Sequence, residues 1–352
     1  MHSVVSITEL EVWAKIDQEI YNILSDSSLG RLSVKARLIE KGFLVSEKLI
    51  RTWRDKNKPV QATLAEVSVA NIVKSHQHAM NVYGSKPAAT LKAEKKDQRV
   101  IAFGDFQINK HDPAFLAKTV EFVRDQQPDM ICLTGDESDN SAVGRWAKGM
   151  KEEYESNLQA QIDETVQWLT RIREAAPNAT IHMAHSNHMH WITRAVETRL
   201  PGLATLRALT PEVMYELDSL DINYQHKVFE FLPDYLLGHG HQWELTSKTH
   251  VIKGTEHVMR TGKSILAGHV HQAALRPVFI GYEGKGTQHV YVNAGCIMDF
   301  EKAMESNGGY IKGTSPNWSK GIVVITREAG QNYTELVLGQ NNGTFRYEGK
   351  IY

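Results

Sequence analysis

The amino-acid sequence predicts an α/β protein preceded by an N-terminal all-α domain, and three observations carry that expectation. After Arg99, short apolar segments alternate with amphipathic helical ones, which is the grammar of α/β layering. Polar residues gather just past the carboxyl ends of successive strand segments, where open α/β sheets place their sites. Before residue 83 the apolar spacing is that of helices.

The first helix is expected from Ser6 to about Ser25. Ser6 and Glu9 have capping-box spacing, and Ile7, Leu10, Val12, Trp13, Ile16, Ile20 and Ile23 form its apolar stripe. A second runs from Ser28 to Lys41 and stops at Gly42. Ser46 caps a third, Glu47 to Lys56, with Leu49, Ile50 and Trp53 on its inner face and Pro59 beyond its end. A fourth spans Ala62 to Asn81. The lysine-rich stretch Gly84 to Gln98 contains a proline and reads as a linker. The division is therefore a helical domain over 1–83, a linker over 84–98 and an α/β domain over 99–352.

In that larger domain, strand Arg99 to Phe103 ends in Gly104-Asp105. A helix from about Pro113 to Gln126 leads to strand Met130 to Thr134 and Gly135-Asp136. Another helix, roughly Glu152 to Ala175, leads to strand Thr180 to Ala184 and Ser186-Asn187-His188. The remainder is strand-rich, with segments at Tyr235 to Leu237, Ser264 to Ala267, His289 to Asn293, Gly321 to Thr326 and Tyr333 to Leu338.

Five short motifs fall at strand ends in order: Gly104-Asp105-Phe106-Gln107, Gly135-Asp136-Glu137-Ser138-Asp139, Ser186-Asn187-His188, Gly238-His239-Gly240-His241 and Gly268-His269-Val270-His271. Two divalent ions about 3.5–4 Å apart need such a mixture: one shared carboxylate, with the other valences filled by Asp, His and amide oxygen. Glycines beside the ligands let the chain turn sharply.

From Arg99 to Thr326 the sequence resembles the calcineurin-like metallophosphoesterase family, whose pattern is D-x-H, G-D-x-x-D, G-N-H-[DE], H and G-H-x-H. Tyr291-Val-Asn-Ala-Gly295 is similar to the family's asparagine–glycine turn after the last motif. The resemblance, closest to its repair-nuclease-like branch, implies a four-layer α/β/β/α sandwich. It implies that Asp136 bridges two metals, that Asp105 and His271 hold the first ion, and that Asn187, His239 and His269 hold the second. His241 is an immediate rival to His239. His188 is the implied catalytic histidine, and Asp139 would orient a ligand or His188. Three positions depart from the pattern. Gln107 replaces a histidine; its amide oxygen can ligate a hard ion but is a poorer donor to Mn²⁺ or Zn²⁺ than imidazole. Ser186 replaces a glycine. Met189 stands where Asp or Glu is usual, which leaves His190 as a candidate partner for His188. Mn²⁺ is the expected activator, with Mg²⁺, Zn²⁺, Fe²⁺ and Ni²⁺ as alternatives.

The helical domain suggests a second function. Between Arg31 and Lys58, nine basic residues face three acids, a net of +6 in a chain whose total is −1. Ala36 to Arg54 has helix-turn-helix character, with glycine at the turn, a serine cap and apolar anchors. Lys48, Arg51 and Arg54 are its candidate DNA contacts. The whole molecule has no general attraction for nucleic acid, so any such attraction is local.

The resulting expectation is a metal-dependent phosphodiesterase acting on DNA as an endo- or exonuclease, with the ions polarising the phosphate and activating water while His188 assists. A phosphatase or nucleotide phosphodiesterase with a protein-binding N-terminal module is the alternative. A non-catalytic scaffold is a third reading, resting on Gln107 and Met189. No apolar run reaches the roughly 18 residues of a membrane span, and the N-terminus lacks a signal peptide's apolar core. With Cys132 and Cys296 as the only cysteines, a cytoplasmic setting without membrane contact is expected. A homo-oligomer is left open.

Overall fold

The structure, a computed structural model, describes residues 17–26, 30–56, 97–144, 156–305 and 317–352, with single residues or pairs elsewhere between 3 and 154. The chain divides into two compact units, Met1–Val82 and Tyr83–Tyr352. The expected helix over 62–81 and nearly all of the linker lie outside the described residues.

The smaller unit contains strand β1 (Ser3–Val4), helices α1 (Gln18–Ser25) and α2 (Arg31–Glu40), strand β2 (Phe43–Leu44) and helix α3 (Glu47–Lys56). Helix α3 has the bounds its cap and apolar spacing predict. The first expected helix differs, because α1 begins afresh at Gln18. Asp17 lies in the extended region and its carboxylate accepts the N–H groups of Glu19 and Ile20, so it caps a new start. The unit is also not purely helical: β1 and β2 pair in parallel, Ser3 with Phe43 and Val4 with Leu44. Gly42, with φ +90°, turns the chain into β2. Leu10, Ile20, Leu24, Val34, Leu38, Ile50 and Trp53 form the core.

The larger unit opens with β3 (Gln98–Phe103), α4 (Pro113–Gln126), β4 (Met130–Leu133), α5 (Leu158–Ala175), β5 (Thr180–Ala184), α6 (Asn187–Arg199) and β6 (Ile222–Gln225). Helix α5 starts later than its apolar spacing suggests, because the Asn157 side chain accepts the Ala160 N–H and caps it there. Strands β7 (Phe229–Leu232) and β8 (Tyr235–Leu237) follow, then α7 (His250–Thr261), β9 (Ser264–Ala267), the hairpin β10 (Ala274–Tyr282) and β11 (Lys285–Asn293), and the final pair β12 (Gly321–Glu328) and β13 (Gln331–Leu338).

These strands build two mixed sheets. The six-stranded sheet has the order β13-β12-β3-β4-β5-β6, and the five-stranded sheet the order β10-β11-β9-β8-β7. Strands β3 to β6 are mutually parallel, joined by crossovers containing α4 and α5. Alternation along β3 and β4 explains the burial. Ile101, Phe103, Ile131 and Leu133 meet Phe115, Phe122, Leu169 and Ile172 of the helices. Their neighbours Val100, Ala102 and Cys132 meet Tyr235, Leu237, Leu266 and Val292 of the other sheet. A strand buried on both faces reads as a continuous apolar run, as these do. Val258 of α7 packs on Ile265, Ala267 and Tyr291 at the far face of the five-stranded sheet. Among the described residues, no helix is long and apolar enough to cross a membrane.

Gly254 sets how closely α7 approaches its sheet. A Cβ there would lie 2.3 Å from Cδ2 and 2.4 Å from Cε2 of Tyr291. Alanine normally stabilises a helix interior relative to glycine, but Gly254→Ala is expected to do the reverse. Overpacking should cost about 1–3 kcal/mol and lower the thermal midpoint by roughly 2–10 °C, measurable by circular dichroism. A midpoint unchanged or raised would show that the tyrosine ring yields.

Candidate metal centre

Parallel pairing puts the carboxyl ends of β3, β4 and β5 side by side, and each of these strands ends in one of the polar motifs. Asp105 lies two residues beyond β3, Asp136 three beyond β4, and Asn187 opens α6 after β5. In the second sheet His239 follows β8, and His269 and His271 follow β9. Five of these site residues adopt positive φ: Asp105 (50°), Gln107 (52°), Asp136 (57°), His269 (75°) and His271 (59°). Only a few per cent of non-glycine residues do so, each costing about 1–3 kcal/mol. Such strain gathered in one place is characteristic of a functional site. Gly268 must lack a side chain, because a Cβ would lie 2.1 Å from Oδ2 of Asp105.

Two groups of potential ligands converge, Asp136–His239–His269 and Asp105–Asp136–His271, each with its ligating atoms within 4.8 Å of one another. Asp136 belongs to both. Its Oδ2 lies 3.1 Å from Nε2 of His239, and Nδ1 of His269 lies 3.2 Å from the same His239 nitrogen. On the other side, Nε2 of His271 is 3.2 Å from Oδ1 of Asp105. The remaining positions are held from behind. Nδ1 of His239 lies 2.8 Å from the Thr134 carbonyl, which as acceptor takes the Nδ1 proton and leaves Nε2 to face the site. Both Asp105 oxygens accept the His269 N–H, at 3.1 and 3.0 Å. The Asn293 amide donates to the Gly268 carbonyl at 2.6 Å.

This donor set fits a pair of divalent cations. Oδ1 of Asn187 is buried without a hydrogen-bond donor, and Nε2 of His271, though 3.2 Å from Oδ1 of Asp105, makes no hydrogen bond. An amide oxygen and an imidazole nitrogen turned inward in this way are costly unless a cation accepts their lone pairs. Burial alone would raise the Asp136 carboxyl, but the His188 and His239 imidazoles hold it well below the usual carboxylate range. The same interaction, acting against burial, lifts His239 to about 9.

Gln107 reaches the same place by another contact. Its Nε2 donates to Oδ2 of Asp136 at 3.2 Å, so the amide nitrogen, rather than the oxygen, faces the shared carboxylate. If the oxygen turns to an ion on binding, Gln107→His should lower the Mn²⁺ concentration for half-maximal activity and Gln107→Ala should raise it, because imidazole is the better donor. Titration calorimetry should show two unequal sites in the wild type. A change in KM alone would place Gln107 on the substrate.

His188 is fully buried and its Nε2 lies 3.7 Å from Oδ2 of Asp136. The residue that orients it is Asp139: Nδ1 of His188 is 2.6 Å from the Asp139 carbonyl and 3.4 Å from its Oδ1. Lys110, which the sequence did not single out, donates to Oδ2 of Asp139 at 2.9 Å. Burial lowers the His188 imidazole and is outweighed by Asp136 and Asp139, so it is held above its ordinary value. His190 lies edge-on to His185, the ring centroids 5.4 Å apart, as helix α6 carries it away from residue 188, whereas Met189 turns into the core. His241 lies outside both ligand groups, its ring 5.6 Å from that of His239.

Sequence reasoning also missed Trp191, whose indole stacks on His188 at 3.8 Å. A signal for it existed: with Asn187 opening a helix, residue 191 lies one turn beyond 188 on the same face. Of the three basic residues expected to contact DNA, Lys48 and Arg51 are exposed. Arg54 is not directed outward. Its Nε donates to the Leu24 carbonyl at 2.8 Å and its Nη2 to the Asp26 carbonyl at 2.6 Å, so it caps the carboxyl end of α1. The connection between α2 and α3 spans residues 41–46 and contains β2, longer than the three or four residues of a tight helix-turn-helix.

No protein-family model matches the chain. It is similar to the Gene 54 protein of Mycobacterium phage L5, at 22% identity over 258 residues, covering 72% of this chain and 98% of that protein. The Gene 54 protein of Mycobacterium phage D29 is 24% identical over 261 residues, with the same coverage. Among solved structures, Vacuolar Protein Sorting 29 from Cryptosporidium parvum aligns with a TM-score of 0.34 at 13% identity, covering 73% of this chain and 95% of that one. A single mutant of Vps29 from Entamoeba histolytica aligns with a TM-score of 0.29 at 12% identity, covering 69% and 99%. At these TM-scores neither structure establishes a shared fold.

Proposed function

We propose that the protein is a two-metal phosphodiesterase of the calcineurin-like kind, acting on DNA as a nuclease. The observation that supports this most is the pair of ligand groups meeting at Asp136. We read the helices on one sheet, the facing second sheet and α7 on its far side as the four-layer α/β/β/α sandwich. Asp105, Asp136 and His271 would hold one ion, with Gln107 nearby, and Asp136, Asn187, His239 and His269 the other. When bound, such ions, Mn²⁺ by preference, polarise a phosphate ester and make water a competent nucleophile at neutral pH. The chain supplies the rest. Asp139 holds Nδ1 of His188, which leaves Nε2, facing the shared carboxylate, to carry the proton that the leaving oxygen requires. The dry walls around Asp136 strengthen each of these interactions.

DNA as substrate rests on Lys48 and Arg51, exposed on α3 within the basic stretch 31–58. Lys48→Ala with Arg51→Ala in the full chain should weaken duplex binding and reduce the slope of log K against log salt by about 2, with hydrolysis of a small diester unchanged. Arg54→Ala should instead lower the melting temperature of the helical unit. The alternative, a phosphatase or nucleotide phosphodiesterase whose N-terminal unit binds protein, is favoured by the inward turn of Arg54 and the long α2–α3 connection. The deciding assay offers labelled single- and double-stranded DNA, a generic diester and a phosphomonoester with Mn²⁺. Cleavage of monoester alone would replace the nuclease reading, and inertness toward all four would remove the enzyme reading.

A further inference from the structure

The face of the His188 ring is governed by a residue that no motif contains. We propose that Trp191 is a positioning residue for catalysis, holding the imidazole of His188 in the one orientation from which Nε2 can serve the leaving group. This rests on the phosphodiesterase reading and extends it.

The Asp139 carbonyl, 2.6 Å from Nδ1, and the Asp139 carboxylate, with Oδ1 3.4 Å from the same nitrogen, hold one edge of the ring. Contacts along an edge leave the face of the ring to be packed. The indole of Trp191 covers that face: it lies 3.8 Å from the imidazole, centroid to centroid, with the planes 29° apart. With edge and face both held, Nε2 points to Asp136, 3.7 Å from Oδ2. A second, independent feature shows that the indole is itself held. Gly144 has φ −69° and ψ 157°, a backbone conformation open to any residue, so its lack of a side chain has no conformational cause. The reason is space. A Cβ at Gly144 would lie 2.8 Å from Cε3 and 2.9 Å from Cζ3 of Trp191. The indole is thus confined between the backbone at Gly144 and the ring of His188. Buried tryptophans elsewhere, Trp53, Trp168 and Trp243, lie in the apolar cores. Trp191 is part-exposed and spends its stacking face on a polar ring beside the shared carboxylate.

Misplacement of a catalytic group by about 1 Å can cost 10²-fold, but only where that group is needed. The test therefore varies the leaving group. Hydrolysis of a thymidine dinucleotide breaks a P–O bond to a nucleoside alkoxide oxygen, which requires a proton from Nε2; bis-p-nitrophenyl phosphate releases p-nitrophenolate, a stable anion that does not. In Trp191→Leu, kcat on the dinucleotide should fall about 10-fold or more, while kcat on the nitrophenyl ester stays within about 2-fold and KM and metal content hold. Trp191→Phe, which keeps a flat face, should recover most of the loss. Gly144→Ala, which pushes on the indole from behind, should reproduce it with all catalytic side chains intact. Equal losses on both esters, or no loss on either, would overturn the positioning role. A wild type inert toward both would remove the phosphodiesterase reading, and this role with it.

Discussion

Asp136→Asn is expected to abolish turnover and to reduce metal uptake from two ions to one or none. The substitution keeps the shape of the side chain and removes the charge that both ligand groups share. Each ion would lose a carboxylate oxygen, and the imidazoles of His239 and His188 would lose their common anion. Stabilisation of transition-state charge by such ions is worth several kcal/mol, so kcat/KM should fall by about 10³-fold or more. Elemental analysis and titration calorimetry of the same preparation measure the metal directly, and circular dichroism checks that the sheets remain. Two ions bound with wild-type affinity would show that Asp136 does not bridge them.

His188→Ala is expected to act the other way round, sparing the metal and slowing the chemistry. The ring lies outside both ligand groups, 3.7 Å from the shared carboxylate, with its Nδ1 held by Asp139. Loss of a positioned acid–base group slows turnover by roughly 10²–10⁴-fold. The effect should appear in kcat for alkoxide leaving groups with KM nearly unchanged. Loss of an ion from this variant would move His188 into the metal shell and leave the proton without an assigned carrier. The two substitutions together separate holding the ions from using them, because one removes the metal pair and the other leaves it in place.

Much of the arrangement could be read along the chain because it is local. An apolar run followed by glycine and a carboxylate places Asp105 and Asp136 at strand ends, and the Ser46 cap with the apolar spacing after it placed α3 between Glu47 and Lys56. Local chemistry also explains where the reading stopped short. Asp17 and Asn157 start helices by accepting nearby N–H groups, and a polar residue inside an otherwise helical pattern does not announce whether it caps or merely faces water. Nor could the sequence show that the guanidinium of Arg54, a candidate DNA contact, donates to the carbonyls of Leu24 and Asp26, about thirty residues away.

By itself, then, the sequence determined which residues stand at the strand ends and what donors they offer, because those follow from side-chain period and from turn chemistry. Tertiary structure alone decided which of them meet. Asp136 stands between two sets of ligands only because β4 lies beside β3 in one sheet while β8 and β9 bring their histidines from the other. His188 meets Asp139 because the loop after β4 comes up beneath the ring as helix α6 carries its next residues away. Gly144 is small because an indole from another element occupies its space. Partners contributed by segments tens of residues apart have no period to read, and the packing of strands and helices is what selects them.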